Sequence, residues 1–181
     1  MNTRRIILTG GPGTGKSSVL KTLIEKGYPC KEEVFREFIQ DTSNETPGSN
    51  YQEAPLHFST LLFKARTEQY ESILNNQFNF FDRSLIDILA YLKLDNISPP
   101  LNWLEYIKMH PYNNKVLYFP FWPEIYHNDQ ERFEDLALAQ QIDKELRATY
   151  TELGYEILEV PKQSIAKRAE YICDLLKNNL L

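Results

Sequence analysis

Residues 10–17 read GGPGTGKS, directly after the apolar run Ile6, Ile7, Leu8. Gly10, Gly15, Lys16 and Ser17 satisfy the spacing of a glycine, four free positions, then Gly-Lys-Ser, in the strand-before, helix-after context that a phosphate-binding loop requires. Glycines let the backbone bend until successive N–H groups point inward at a phosphate, and a helix starting at Lys16 adds its positive dipole end. The residues expected to cradle a nucleotide's phosphates are therefore Gly11, Pro12, Gly13, Thr14, Gly15, Lys16, Ser17 and Ser18. Lys16 is placed as a point charge on the β- and γ-phosphates, and Ser17 offers a hydroxyl to Mg²⁺. The dinucleotide fingerprint has a different spacing and needs a glycine where Lys16 stands, so NAD binding by that route is disfavoured.

On either side of this loop, short apolar runs alternate with helical periodicity. Arg5 to Thr9 reads as a buried strand, followed by a helix carrying Val19, Leu20, Leu23 and Ile24 and closed by Gly27. Tyr28 to Glu32 reads as a second strand, leading into a helix with Val34, Phe35, Phe38 and Ile39 on one face, and residues 41–50 (DTSNETPGSN) as a mobile loop. A long helix from Gln52 to about Asn75 is expected, with Leu61, Leu62, Ala65, Ile73 and Leu74 as its buried stripe. Gln77 to Phe81, Val116 to Phe119 and Tyr155 to Val160 supply three further strands. Helices are expected from Ser84, whose hydroxyl and Asp87 approximate a capping box, over Leu101 to His110, and over Ser164 to Lys177. Strands alternating with helices predict an α/β fold: a five-stranded parallel sheet with helices on both faces, over residues 1–181 as one domain. Its ligand is expected at the carboxyl ends of the strands.

Composition narrows the function classes. Twenty Lys plus Arg against 25 Asp plus Glu give a net charge of −5, so no basic surplus recommends nucleic acid or an anionic membrane as a partner. The first strand begins by residue 5, and no run approaches 18 apolar residues, so a cytoplasmic protein is expected. Cys30 and Cys173 form no Cys-x-x-Cys pair, and His57, His110 and His127 show no metal-ligand spacing.

Three strand ends carry groups suited to phosphoryl chemistry. The third ends in Asp82, Arg83 and Ser84, where a carboxylate can hold Mg²⁺ and a guanidinium can clamp a phosphoryl group or the acceptor substrate; the competing reading is a capping Asp82 paired with Arg83. The second ends in Glu32 and Glu33 with Arg36 one turn later. Glu33 can orient a hydroxyl acceptor with Arg36 beside it, or simply form an ion pair with Arg36 on a solvated face. After the fourth, residues 119–135 (FPFWPEIYHNDQERFED) lead into a charged helix and can close over a nucleotide, delivering Arg132; alternatively Arg132 pairs with Asp129 and the aromatics pack on the core. Asn114 and Lys115 are followed by Val116 and Leu117, not by the Asn-Lys-x-Asp element of guanine recognition, which favours ATP over GTP.

With these motifs placed, the sequence resembles the AAA-like ATPase or kinase domains related to the nicotinamide riboside kinase part of bacterial NAD-regulator proteins and to the TRPL translocation defect proteins. The resemblance runs from TGGPGTGKSS (9–18) through FDRSLIDILAYLKL (81–94) and WPEIY (122–126) to TELGYEILEVP (151–161). It implies a P-loop NTPase core of nucleoside-kinase-like form, a lid carrying Arg132, and nucleotide with Mg²⁺ at Lys16, Ser17 and Asp82. The triplet at 82–84 is also similar to the acid-Arg-Ser of deoxynucleoside kinases, where the arginine helps to organise phosphates, and Glu33 to the carboxylate facing a nucleoside hydroxyl. The chain is short for a ring-forming motor of the wider AAA+ group. The expected function is an ATP-dependent kinase acting on a nucleoside-like hydroxyl, with Lys16, Glu33, Arg83 and Arg132 as its catalytic residues. The alternative is a nucleotide-dependent ATPase switch that presents a partner-binding surface.

Overall fold

The computed structural model describes residues 3–34, 54–125 and 135–181. Five parallel strands, β1 (Arg4–Thr9), β2 (Cys30–Lys31), β3 (Phe78–Asp82), β4 (Lys115–Tyr118) and β5 (Glu156–Glu159), lie side by side in the order β2-β3-β1-β4-β5. Between and after them run α1 (Lys16–Glu25), α2 (Pro55–Glu71), α3 (Leu85–Leu94), α4 (Leu101–Met109), α5 (Leu136–Glu152) and α6 (Ile165–Lys177).

The period-two alternation of strand side chains divides the core into two layers. Ile6, Leu8, Phe80, Leu117 and Phe119 point to the face covered by α1 and α6, where they meet Val19, Leu20, Leu23, Ala169 and Ile172. Ile7, Phe81, Val116 and Tyr118 point to the other face, packed with α2, α3, α4 and α5 through Leu62, Leu85, Trp103 and Leu146. Helices thus cover both faces, as the alternation of elements predicts. No helix among the described residues is long and apolar enough to cross a membrane.

Some elements differ from the sequence expectation. β2 has two residues rather than five, because it pairs with β3 alone at the sheet's edge. Within α1, Ile24 is exposed and does not share the buried stripe of Val19, Leu20 and Leu23. The second helix starts with Pro55 at its first turn, a position proline suits, and ends at Glu71, short of Asn75. Its buried residues are Phe58, Ser59, Leu62, Arg66 and Tyr70, whereas Leu61 and Leu74 are exposed. The buried face follows the i, i+4 series through Arg66, a cation that an apolar template passes over. Of the expected helix after Val34, Phe35, Phe38 and Ile39 lie outside the described residues, as do the loop at 41–50 and the start at Gln52. Val34 is buried.

Register brings the strand ends together. Leu8 is level with Asp82, Thr9 with Tyr118, and Lys31 with Phe81, so the residues after β1, β2 and β3 emerge at one sheet edge beside the start of α1. β1 lies at the centre of the sheet, between strands reached by crossovers in opposite directions. That is where an open α/β sheet forms its ligand crevice.

Candidate active site

The phosphate loop leaves β1 through Gly10, whose φ is 138° and where a Cβ would meet the Phe119 carbonyl oxygen at 2.2 Å. Only glycine fits that approach. The loop then passes Gly13 and Gly15, both with positive φ, and enters α1 at Lys16. The Lys16 ammonium is buried against the loop, donating to the carbonyls of Gly10 (2.9 Å) and Gly11 (2.8 Å) and to the Thr14 hydroxyl (3.3 Å). Burial, helped by the nearby Arg83 charge, lowers its pKa from 10.5 to about 8. An anion at this position would restore its preference for the charged form.

The turn at Asp82-Arg83-Ser84 sends its three side chains to three tasks. Asp82 is buried and accepts a hydrogen bond from the Ser17 hydroxyl through Oδ2 at 3.0 Å. Its other oxygen, Oδ1, has no hydrogen-bond partner among the described residues. Burial pushes this carboxyl above the usual range while the Lys16 charge opposes the shift. A buried carboxylate oxygen left unpaired beside a serine hydroxyl suits a hard divalent cation, which takes oxygen ligands and completes its shell with phosphates and water. Ser17 and Asp82, the pair expected to hold Mg²⁺, are therefore adjacent and fit that role.

Arg83 follows with φ 71°, a conformation uncommon for a side chain of its size and concentrated at functional sites. Its N–H donates to the Leu8 carbonyl at 2.9 Å. Through Nε it forms an ion pair with Glu33 Oε2, and through Nη1 it lies 3.4 Å from Asp87 Oδ1. Its guanidinium also stands over the Tyr91 ring, 5.5 Å from the centroid. Arg83, expected to clamp a phosphoryl group or the acceptor, is thus turned to Glu33 and Asp87. Glu33 in turn accepts from Arg66 Nη2 through Oε1 at 2.8 Å, and Arg66 Nη1 donates to the Ser84 carbonyl at 2.7 Å. Glu33 is held by two arginines from distant parts of the chain. Arg36, the partner suggested by local spacing, lies outside the described residues, as do Arg132, Asp129 and Tyr126.

Ser84 caps α3, with its hydroxyl accepting from the Ile86 N–H and the Asp87 carboxylate accepting from the Ser84 N–H, which completes the capping box. Asp87 does more than cap. Fully buried, it also accepts from the Thr9 hydroxyl (2.7 Å) and from Tyr150 (2.6 Å), which shares a 2.7 Å hydrogen bond with Ser84 Oγ. The Arg83 and Arg66 charges and these hydroxyls hold its carboxyl below the usual range against the burial penalty. We expect Asp87→Ala to cost about 3–5 kcal/mol, because it removes at once the carboxylate that buried Arg83, Thr9 and Tyr150 share. Urea unfolding monitored by circular dichroism measures this; a loss under about 1 kcal/mol, ordinary for a surface cap, would show that these contacts do not hold the core.

Three charged residues of this neighbourhood escape motif reading: Arg66, Asp87 in its wider role, and Arg168. Arg168 on α6 donates through Nη1 to the Thr14 carbonyl at 2.7 Å. Each lies on the buried side of its helix among apolar neighbours, and that placement is the signal that finds them. Of the residues after β4, Trp122 is partly buried and its ring faces Arg168 at 5.6 Å, and Asp143 of α5 accepts from the Phe121 N–H at 2.9 Å. The charged helix expected after residue 135 is α5, whose first turn is capped by Asp135 accepting from Leu138 N–H.

Gly15 is doubly constrained. Its φ is 81°, and a Cβ there would lie 2.8 Å from Arg168 Nη2. Gly15→Ala is expected to destabilise the fold by about 1–3 kcal/mol, from left-handed backbone strain and displacement of the guanidinium. A denaturation midpoint equal to that of the unaltered chain would contradict this packing.

Comparison with known proteins gives the same architecture. A family model described as an AAA domain matches residues 5–168. No curated protein matches the sequence. Among solved structures, the chain is similar to deoxyadenosine kinase from M. mycoides with the products dCMP and a flexible dCDP bound, with a TM-score of 0.71 at 17% identity over 96% of this chain and 98% of that one. It is similar to shikimate kinase from Aquifex aeolicus, with a TM-score of 0.59 at 17% identity over 98% of both chains. It also resembles the NadR protein in complex with NR, with a TM-score of 0.67 at 16% identity, over 97% of this chain and 50% of that one. What is shared at such identities is the fold.

Proposed function

This chain belongs to the AAA domain family, and from that starting point we propose that it is an ATP-dependent kinase that phosphorylates a hydroxyl of a small nucleoside-like acceptor. One observation carries the reading: a single turn joins two half-sites. Asp82 faces Ser17 at the foot of the phosphate loop, while the next residue, Arg83, reaches Glu33 at the end of β2. Donor phosphates and acceptor hydroxyl would thus meet across one dipeptide.

In this reading the loop from Gly11 to Ser18 binds the phosphates of ATP through its N–H groups, and Lys16 exchanges its carbonyl partners for phosphate oxygens. Ser17 and Asp82 would hold Mg²⁺, which when bound would neutralise charge on the phosphates. Glu33 orients the acceptor hydroxyl and receives its proton as the phosphoryl group arrives. A carboxylate offers about four acceptor sites, so accepting from Arg66 and Arg83 is compatible with accepting from a substrate. The two guanidiniums fix its direction, which is what an acceptor held for in-line transfer requires. Arg132 is proposed to reach the transferring group from the segment after β4, and Arg36 to border the acceptor. Deoxyadenosine kinase and the NadR protein, with the nucleotide and NR ligands named for their structures, support an acceptor of the nucleoside type.

The test is acceptor-dependent turnover. Purified protein with ATP and Mg²⁺ is offered a panel of nucleosides and nicotinamide riboside while ADP release is followed. The reading expects at least one acceptor to raise the rate, and chelation of the metal to abolish the rise. ADP release indifferent to every acceptor would favour the switch-like ATPase instead.

A further inference from the structure

Arg168 lies in the first turn of α6, behind the phosphate loop. It is 5% exposed, yet no carboxylate among the described residues comes within ion-pair distance of it. Its guanidinium is held by the Thr14 carbonyl at 2.7 Å and stands over the rings of Phe119 and Trp122, 5.8 and 5.6 Å from their centroids. Its Nε has no hydrogen-bond partner among the described residues. A buried cation without an anion is costly, and an anion bound nearby would offset that cost.

The contact with Thr14 has a geometric consequence. The Thr14–Gly15 peptide is planar and trans, so its carbonyl and its N–H point in opposite directions. With the carbonyl tied to Arg168, the Gly15 N–H is turned away from α6. Gly15 itself allows the arrangement, because its positive φ and the guanidinium nitrogens 2.8 and 3.0 Å from a Cβ position both require glycine. A planar fork that both donates to a carbonyl and packs on aromatic faces is a task for arginine more than for lysine.

We propose that Arg168 is a positioning residue of the nucleotide site: it sets the Thr14–Gly15 peptide so that the Gly15 N–H faces the bound phosphates, and it places a fixed positive charge behind them. The inference rests on reading residues 10–17 as a phosphate cradle. It assigns to α6 a part in binding that no sequence motif carries, and it makes the ligand's phosphate chain, rather than its base, the group that Arg168 serves.

Calorimetry with two ligands tests it. Magnesium-loaded AMP-PNP carries base and phosphates, and magnesium tripolyphosphate carries phosphates alone. Arg168→Met, which keeps the apolar stem and removes charge and donors, is expected to weaken both ligands about tenfold, and Arg168→Lys, which keeps the charge but not the planar fork, to recover only part of that loss. If Arg168→Met does not fold, Arg168→Gln replaces it, since its polar amide ends short of the Thr14 carbonyl and the same loss is expected. Unchanged affinity for both ligands would overturn the proposal. So would a loss confined to AMP-PNP, which would make Arg168 a base-recognition group. An unaltered chain that binds neither ligand would overturn the phosphate-cradle reading itself, a result distinct from any difference between variants.

Discussion

Lys16→Ala is expected to lower phosphoryl transfer by roughly 10³-fold, since it removes a preorganised charge from the phosphates whose negative charge shifts in the transition state. The structure gives the reason for so large an effect at one residue. The ammonium is buried, and burial has already lowered its pKa to about 8. Its hydrogen bonds to the Gly10 and Gly11 carbonyls and the Thr14 hydroxyl also brace the loop, so the variant loses loop geometry along with charge. Steady-state turnover with saturating ATP and acceptor measures the loss. Turnover within a few-fold of the unaltered chain would remove Lys16 from the chemistry.

Glu33→Gln is expected to separate the two half-sites. Transfer to the acceptor should fall by about 10²-fold or more, the usual scale for a positioned proton acceptor. Binding of ATP should change less, because the ion pairs of Glu33 are with Arg66 and Arg83, while on Lys16 it acts through its field. The amide also turns a donor towards one of the two guanidiniums, so Arg83 loses part of its hold and the acceptor side loosens further. Comparing kcat/KM for acceptor with the equilibrium affinity for nucleotide shows the split. An equal loss in both would make Glu33 a structural ion-pair partner for the arginines.

The phosphate loop was legible because its chemistry is local. Bend, cradle and helix start all lie within eight consecutive residues, and in the structure the Lys16 ammonium lies against the Gly10 carbonyl and the Ser17 hydroxyl against Asp82. The alternation of short apolar strands with helices made the parallel sheet legible for the same reason, since each segment declares its own period. Asp82 was found by its position at a strand end. What remained hidden was non-local. Local spacing offers Glu33 the residue Arg36, which lies outside the described residues, and is silent on Arg66 from α2 and Arg83 from the turn after β3. Asp87 reads as a cap because Ser84 is close in sequence, but Tyr150 and Thr9 reach it from other elements. Arg66 and Arg168 interrupt apolar stripes, so a reading by hydropathy shifts the buried face of α2 towards Leu61 and Leu74 and overlooks the cation on it. A charge embedded in an apolar stripe is the mark that the buried charged residues of this site share.

The distinction between a kinase and a nucleotide-hydrolysing switch rests on where the phosphoryl group goes. ATP labelled with ¹⁸O in its γ-phosphoryl group, incubated with the protein, Mg²⁺ and the acceptor panel, and read by mass spectrometry, decides it. The account predicts label on a nucleoside hydroxyl, lost in Glu33→Gln. Label found only in inorganic phosphate would contradict it.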